Sequence, residues 1–192
     1  MNRISVERMA PENRLTKLHA FASEDDIQVA CSRYRNWNNL DTAWKEFAQD
    51  LHLLTSSRLA LTFQYDESSN ELITKGVSGL SLAISRTAAF LGIELLQKRW
   101  PLYDGVMEDL LTGNLIQLES IAEVSSYNLS NYQSFYIQKV MGIEAIYSMG
   151  LLGRNGGLLG NFVLLLGRTL ENEKNVCDLT ICAAAEMERL VR

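Results

Sequence analysis

Two prolines, two histidines and three cysteines among 192 residues leave few of the side chains from which metal centres and disulfide frameworks are built. A structural zinc site needs four nitrogen or sulfur ligands at close spacing. His19 and His52 lie far along the chain from Cys177 and Cys182, and no CxxC pair occurs. In a helical pattern the five-residue step from Cys177 to Cys182 turns the two thiols about 140° apart, so they share no face. Cys31, Cys177 and Cys182 therefore read as small apolar fillers in a reducing compartment, with neither metal nor disulfide expected.

Positive charge is also scarce: 18 Lys and Arg stand against 23 Asp and Glu, a net charge of −5. Phosphate backbones are held by clustered Lys and Arg, so this balance excludes a nucleic-acid surface as the main business of the chain. A membrane span needs about 18 nearly uncharged apolar residues, and the longest apolar stretch, around Leu158 to Leu166, is about half that. Arg3, Glu7, Arg8, Glu12 and Arg14 leave no apolar segment for a secretory signal, so a cytoplasmic location without membrane contact is expected. No G-x-S-x-G, P-loop or H-E-x-x-H pattern occurs, so hydrolase, nucleotide-triphosphatase and metalloprotease chemistry has no local support and no catalytic residue is expected. What the chain does have is 47% hydrophobic and only 21% charged residues, enough to bury an ordinary core in one domain.

Residues 1–22 carry Pro11 and only a weak apolar pattern at Leu15, Leu18 and Phe21; they read as a leader or linker, with the domain proper over 23–192. Ser23 and Asp26 form an S-x-x-D start for a helix bearing Ile27, Cys31 and Tyr34. Asp41 is the predicted N-cap of a second helix, whose stripe runs Leu40, Trp44, Phe47, Leu51, Leu54. Leu59, Leu61, Phe63 and Tyr65 alternate with Ala60, Thr62 and Gln64, predicting a strand with one apolar face, then a turn over 66–70 and a return strand over 71–77. Leu80, Ala83, Ile84, Thr87, Ala88 and Leu91 predict a helix ended by Gly92. An extended stretch to Pro101, a short helix over 106–111 and a brief strand over 115–118 follow, and 119–129 fit no element. Ser130 and Gln133 form a capping box for an aromatic helix stopped by Gly142. Strands over 143–152 and 158–166 flank Asn155-Gly156, a pair that favours a hairpin turn with positive φ at both residues. A final helix over 173–192 carries the stripe Val176, Thr180, Ala183, Met187, Leu190.

This order describes an α+β sandwich, an antiparallel sheet with helices on its faces. The segments SSRLALTFQYDESSNEL, LLTGNLIQLESIAEV and GIEAIYSMGLLGRNGGLLGNFVLLLGRTLENEK, within about Asp41 to Arg192, resemble the GAF domain family, most of all the GAF domains of archaeal and bacterial sensory histidine kinases. The resemblance implies a GAF-like central antiparallel sheet with flanking helices and long N- and C-terminal helices. It also implies a non-catalytic sensory module that binds a small molecule and signals through its terminal helices, with a kinase or DNA-binding output elsewhere in the full-length protein. The cofactor stays unnamed. Cyclic-nucleotide-binding members carry an N-K…F…D-E arrangement that Asn172-Glu173-Lys174 echoes only superficially, without convincingly placed partners. Bilin-binding members need a cysteine beside the pocket and haem-binding members an axial histidine, whereas the cysteines here fall on the first and last helices and both histidines precede the first strand. A thiol-dependent free methionine sulfoxide reductase is the enzymatic alternative, and a ligand-free dimerisation module the structural one. Since each terminal stripe can bury only part of its circumference on one sheet face, a homodimer is expected.

In a GAF-like fold the small-molecule pocket lies between one sheet face and the segments connecting the middle strands. Trp100, Tyr103, Tyr127, Tyr132, Phe135, Tyr136, Tyr147 and Met149 concentrate there and are the candidate ligand-binding residues, rings supplying contact area and hydroxyls orientation. The alternative is that they fill the core above the sheet. Glu94, Asp104, Glu108, Asp109, Glu119 and Glu123 crowd the same crossover and read as a solvated face.

Overall fold

Alternating strands and striped helices assemble, in a computed structural model of the chain, into one six-stranded antiparallel sheet with helices on both faces. The structure describes residues 24–79, 95–124 and 130–192. Helix α1 spans Glu24–Tyr34 and α2 Leu40–Thr55, followed by the hairpin β1 Leu59–Asp66 and β2 Glu71–Ser78. Then come β3 Arg99–Pro101, α3 Asp104–Leu111, β4 Ile116–Leu118, α4 Ile121–Val124 and α5 Asn131–Met141. The long hairpin β5 Ala145–Leu152 and β6 Leu158–Leu166 leads into α6 Glu173–Val191. The sheet order is β3-β2-β1-β6-β5-β4, so the two hairpins meet at the centre through β1 and β6. The predicted leader over 1–22, the Ser23 cap, the helix over Leu80 to Leu91 and Tyr127 lie outside the described residues.

Local chemistry decides several boundaries. The N-cap of α2 is Asn39 rather than Asp41: the Asn39 side chain accepts from the Thr42 amide (3.0 Å), while Asp41 pairs with Lys75 (3.1 Å). The capping box at Ser130 and Gln133 forms in full, and Gly142 ends α5 at φ +60°, where a side chain would be strained. The β5–β6 turn differs from the two-residue expectation. Among its residues only Gly156 has positive φ, the Gly156 amide donates to Gly153, and Asn155 spends its side chain accepting from the Gly157 amide. The reason is the bulge at Leu151/Leu152, which gives the loop more residues than a two-residue turn allows.

Because the sheet is covered on both sides, β1 is apolar on both faces instead of one. Leu59, Leu61 and Phe63 enter one core, while Ala60 and Thr62 are buried on the other face, Thr62 Oγ1 donating to the Trp44 carbonyl (2.9 Å). On that face α1, α2 and α6 pack over Tyr147, Met149, Phe162 and Leu164. Trp44, Phe47, Leu51 and Leu54 of α2 and Val176, Thr180, Ala183 and Met187 of α6 are all buried within the chain. Leu40 and Leu190, the end members of the two stripes, are half-buried, and Val29, Ile181 and Val191 are exposed on these helices.

Helix α1 is tied down by chemistry as well as packing. Arg33 and Tyr34 both donate to the buried Asp50 carboxylate, Trp37 donates to Glu46 (2.8 Å), and the Tyr34 and Trp37 rings stack at 3.9 Å. Burial, with Asp50 alongside, drives the Tyr34 hydroxyl far above its ordinary range, so it stays protonated and donates to Asp50. Cys31 and Cys182 form a disulfide between α1 and α6 with Cα atoms 5.7 Å apart, contrary to the expectation of three free thiols. Spacing along one helix could not reveal it, because the partners are 151 residues apart and meet only through helix packing.

Candidate functional site

The other face of the sheet is only partly filled. A cavity of about 780 Å³ lies between β1, β5 and β6 below, β2 and β3 at one side, β4 at the other, and α3 and α4 above, within the range of small-molecule sites. Phe63, Leu72, Trp100, Leu110 and Val163 supply its apolar wall; Ser148 and Asn161 are the polar residues of its floor; Tyr103, Glu108, Asp109 and Glu123 line the rest with Val106, Ile116 and Leu118.

Each part follows from local structure. Trp100 sits on the three-residue strand β3, paired opposite Leu72 of β2, and its indole N–H donates to Thr74 Oγ1 (2.9 Å). Arg99, next along β3, donates to Asp66 (3.0 Å) and Glu71 (2.8 Å), which fastens this edge of the wall; the Ser68 hydroxyl and then Arg99 hold the Asp66 carboxyl below its usual range, and Arg99 does the same for Glu71. Helix α3 is seated directly on β5 because residue 150 is glycine: a Cβ there would overlap the Leu110 carbonyl. On the floor, Ser148 and Asn161 interrupt two otherwise apolar strands. Ser148 Oγ donates to the Phe162 carbonyl (2.8 Å) and accepts from Asn161 Nδ2 (3.2 Å). That chain orients the amide, and it leaves Asn161 Oδ1 buried without a hydrogen-bond partner.

The sequence-derived candidates fall in three places. Trp100 and Tyr103 line the cavity. Tyr132, Phe135 and Tyr136 project from α5 into solvent at 78%, 64% and 45% exposure and are not among the lining residues. Tyr147 and Met149 are buried on the opposite face of the sheet, in the core under α1, α2 and α6, because they share the strand phase that points away from Ser148. Tyr127 lies outside the described residues. Sequence reasoning missed Phe63, Ser148, Asn161 and Val163 as lining residues; Glu108 and Asp109, read as a solvated face, are exposed, and together with the half-buried Glu123 they also line the cavity. The readable signal was a serine and an asparagine breaking apolar strands in matching phase.

Thiol chemistry has no place at this cavity. Cys31 and Cys182 are bonded to each other and Cys177 stands on α6, all on the far side of the sheet. Burial, with Asp178 and Glu173 nearby, pushes the Cys177 thiol up and away from the reactive thiolate. A covalently attached bilin likewise finds no cysteine in the wall, so these residues do not fit one. Among the described residues no cluster of three or more metal-ligating side chains occurs, and no helix is long and apolar enough to cross a membrane.

Comparison by sequence finds no matching family model and no matching curated protein. Comparison of structures does find relatives of the fold. The chromophore-binding domain of an unusual bacteriophytochrome from R. palustris superposes with a TM-score of 0.61 at 12% identity, over 96% of this chain and 64% of that one. The chain spans 39% of the length of the larger bacteriophytochrome structure from the same bacterium. The GAF domain of the Acinetobacter phosphoenolpyruvate-protein phosphotransferase matches over 94% of this chain and 95% of its own, with a TM-score of 0.59 at 8% identity. The GAF domain of the cyanobacteriochrome TePixJ has a TM-score of 0.59 at 9% identity, over 82% and 94% of the two chains. With a six-stranded antiparallel sheet, helices packed on one face and a cavity on the other, the chain has the GAF fold.

Proposed function

We propose that this chain is a non-catalytic sensory or regulatory module that binds a small molecule in the cavity between the sheet and α3, and signals its presence through the terminal helices to the rest of a larger protein. The observation that carries the reading is the two-sidedness of the central strands. Ser148 and Asn161 face the cavity, while their chain neighbours Tyr147, Met149 and Phe162 face α1, α2 and α6. A ligand that moves the floor therefore moves the seat of the terminal helices, through residues adjacent in the same strands. The likeness to a chromophore-binding domain supports a binding role for the fold, though that domain's chromophore is its own.

A thermal-shift screen of small molecules tests the proposal. Compounds that occupy the cavity raise stability by RT ln(1 + [L]/Kd), about 2.7 kcal/mol at a hundredfold excess over Kd. Gly105→Phe supplies the control. A Cβ built at Gly105, one of the lining residues, meets nothing within 4 Å, so a ring is added there without displacing backbone, and the stabilisation should fall while the fold persists. If no compound stabilises the protein, or if Gly105→Phe leaves the stabilisation intact, the cavity is not a ligand site and a ligand-free scaffold replaces this reading.

A further inference from the structure

Given the reading of the cavity as a ligand site, on which this inference rests, its lining specifies what kind of molecule fits. Glu108, Asp109 and Glu123 are three carboxylates in the wall, and no lysine, arginine or histidine is among the described lining residues. Glu123 accepts from the Glu119 amide (3.3 Å), but Glu108 and Asp109 have no ion pair among the described residues, in contrast to Asp66 and Glu71, which share Arg99. The positive charge recorded against the wall is Lys98, 4.8 Å from the Trp100 ring centroid and not itself part of the lining. The floor adds an independent observation. Asn161, 4% exposed, stands among the lining residues; Ser148 Oγ accepts one hydrogen of its Nδ2, and its Oδ1 acceptor is left without a partner. A molecule that satisfies it must bring a donor.

One feature pulls the other way. The N-terminus of α3 carries Gly105 and Val106 to the cavity, and helix N-termini attract anions with roughly half a positive charge. Here Asp104 occupies that first turn, and Glu108 and Asp109 follow on the same helix, so full negative charges outweigh the partial positive one. Tyr103 and Trp100 place aromatic rings beside them, the setting that favours cations over anions.

We infer that the ligand of this cavity is an organic cation, a protonated amine or amidine on a flat apolar body, whose body packs on Phe63, Trp100 and Val163 and whose N–H groups face Glu108, Asp109 and the Asn161 amide oxygen. Three probes of one size separate charge from shape: benzamidinium, benzamide and benzoate. Calorimetry and chemical-shift mapping on the full chain should rank benzamidinium first and benzoate last. The double variant Glu108→Gln/Asp109→Asn should weaken benzamidinium by about threefold to tenfold, as for two partly exposed ion pairs, and leave benzamide unchanged. Both side chains are exposed, so the variant folds. Asn161→Leu gives a second arm and should weaken benzamidinium and benzamide but not benzoate. If benzamide or benzoate binds as well as benzamidinium and Gly105→Phe blocks it, the ligand site stands and the cationic class is wrong. If none of the three binds, or Gly105→Phe fails to block binding, both readings fall.

Discussion

Phe162 and Phe63 stand on neighbouring strands, one residue apart in register, and face opposite ways. Phe162 is fully buried beneath the three long helices, its ring edge-on to Phe47 at 6.1 Å between centroids. Phe63 is nearly as inaccessible, yet it forms part of a cavity wall. The same sheet therefore carries one face closed by α1, α2 and α6, with a disulfide and a buried carboxylate network across it, and one face covered by short elements that leave about 780 Å³ open. The difference teaches where this molecule places rigidity. The terminal helices rest on the well-packed side, and polar residues that serve no packing role sit on the other.

The largest expected effect follows from that contrast. Phe162→Ala should cost about 3–5 kcal/mol in urea denaturation, as truncation of a fully packed ring does, and Phe63→Ala about 1 kcal/mol less, because part of its surroundings is already void. Equal losses would mean that the cavity is filled in solution and the two faces do not differ. Next in size is the covalent tie on the helix face. Cys31→Ser should lower stability by about 2–4 kcal/mol, since the bridge closes a loop of some 150 residues in the unfolded chain. Reductant should cause the same fall in the wild type and none in the variant; a midpoint indifferent to reductant would remove the disulfide from the account of α1.

The smallest effect sharpens the comparison through pH. His52 on α2 is partly buried against Ser57 (Nδ1 to Oγ 3.4 Å), and burial lowers its pKa below the ordinary value near 6.5. A lowered folded pKa means that the folded state binds this proton less readily than the unfolded chain. The contribution is thus complete above about pH 6.5 and is lost as the pH falls through the lower folded value. Denaturation midpoints should drop slightly between pH 7.5 and 5.5 in the wild type and lose that component in His52→Gln. An unchanged pH dependence in the variant would exclude His52 as its source.

Much of this architecture was legible in the chain itself. The α2 stripe, the alternation in β1, the Ser130–Gln133 capping box and the Asn155-Gly156 turn are local patterns, and each marked an element that forms. Where local reading slipped, a neighbour had intervened: Asp41 was drawn from capping to Lys75, and the β1 alternation hid a second buried face because α2 lies over Ala60 and Thr62. The candidate site was read less well. Tyr147 and Met149 belong to the aromatic-rich segment that a GAF-like fold sets beside its pocket, yet strand phase sends both to the helix face. Ser148 and Asn161 were passed over because a polar residue in one strand has no evident meaning until the neighbouring strand brings its partner within hydrogen-bond distance.

By itself, then, the sequence determined most of the elements, their order and the α+β class, because periodicity, capping and turn chemistry act over a few residues; the one-turn helix α4 at Ile121–Val124 was not among them. Only the tertiary structure decided that Cys31 meets Cys182 across 151 residues, that Asn161 keeps a buried unsatisfied oxygen beside Ser148, and that Glu108 and Asp109, exposed on α3, also line a cavity. The physical reason is common to all three. Each depends on which surfaces a folded chain presses together, a property of packing between elements distant in sequence that no local pattern encodes.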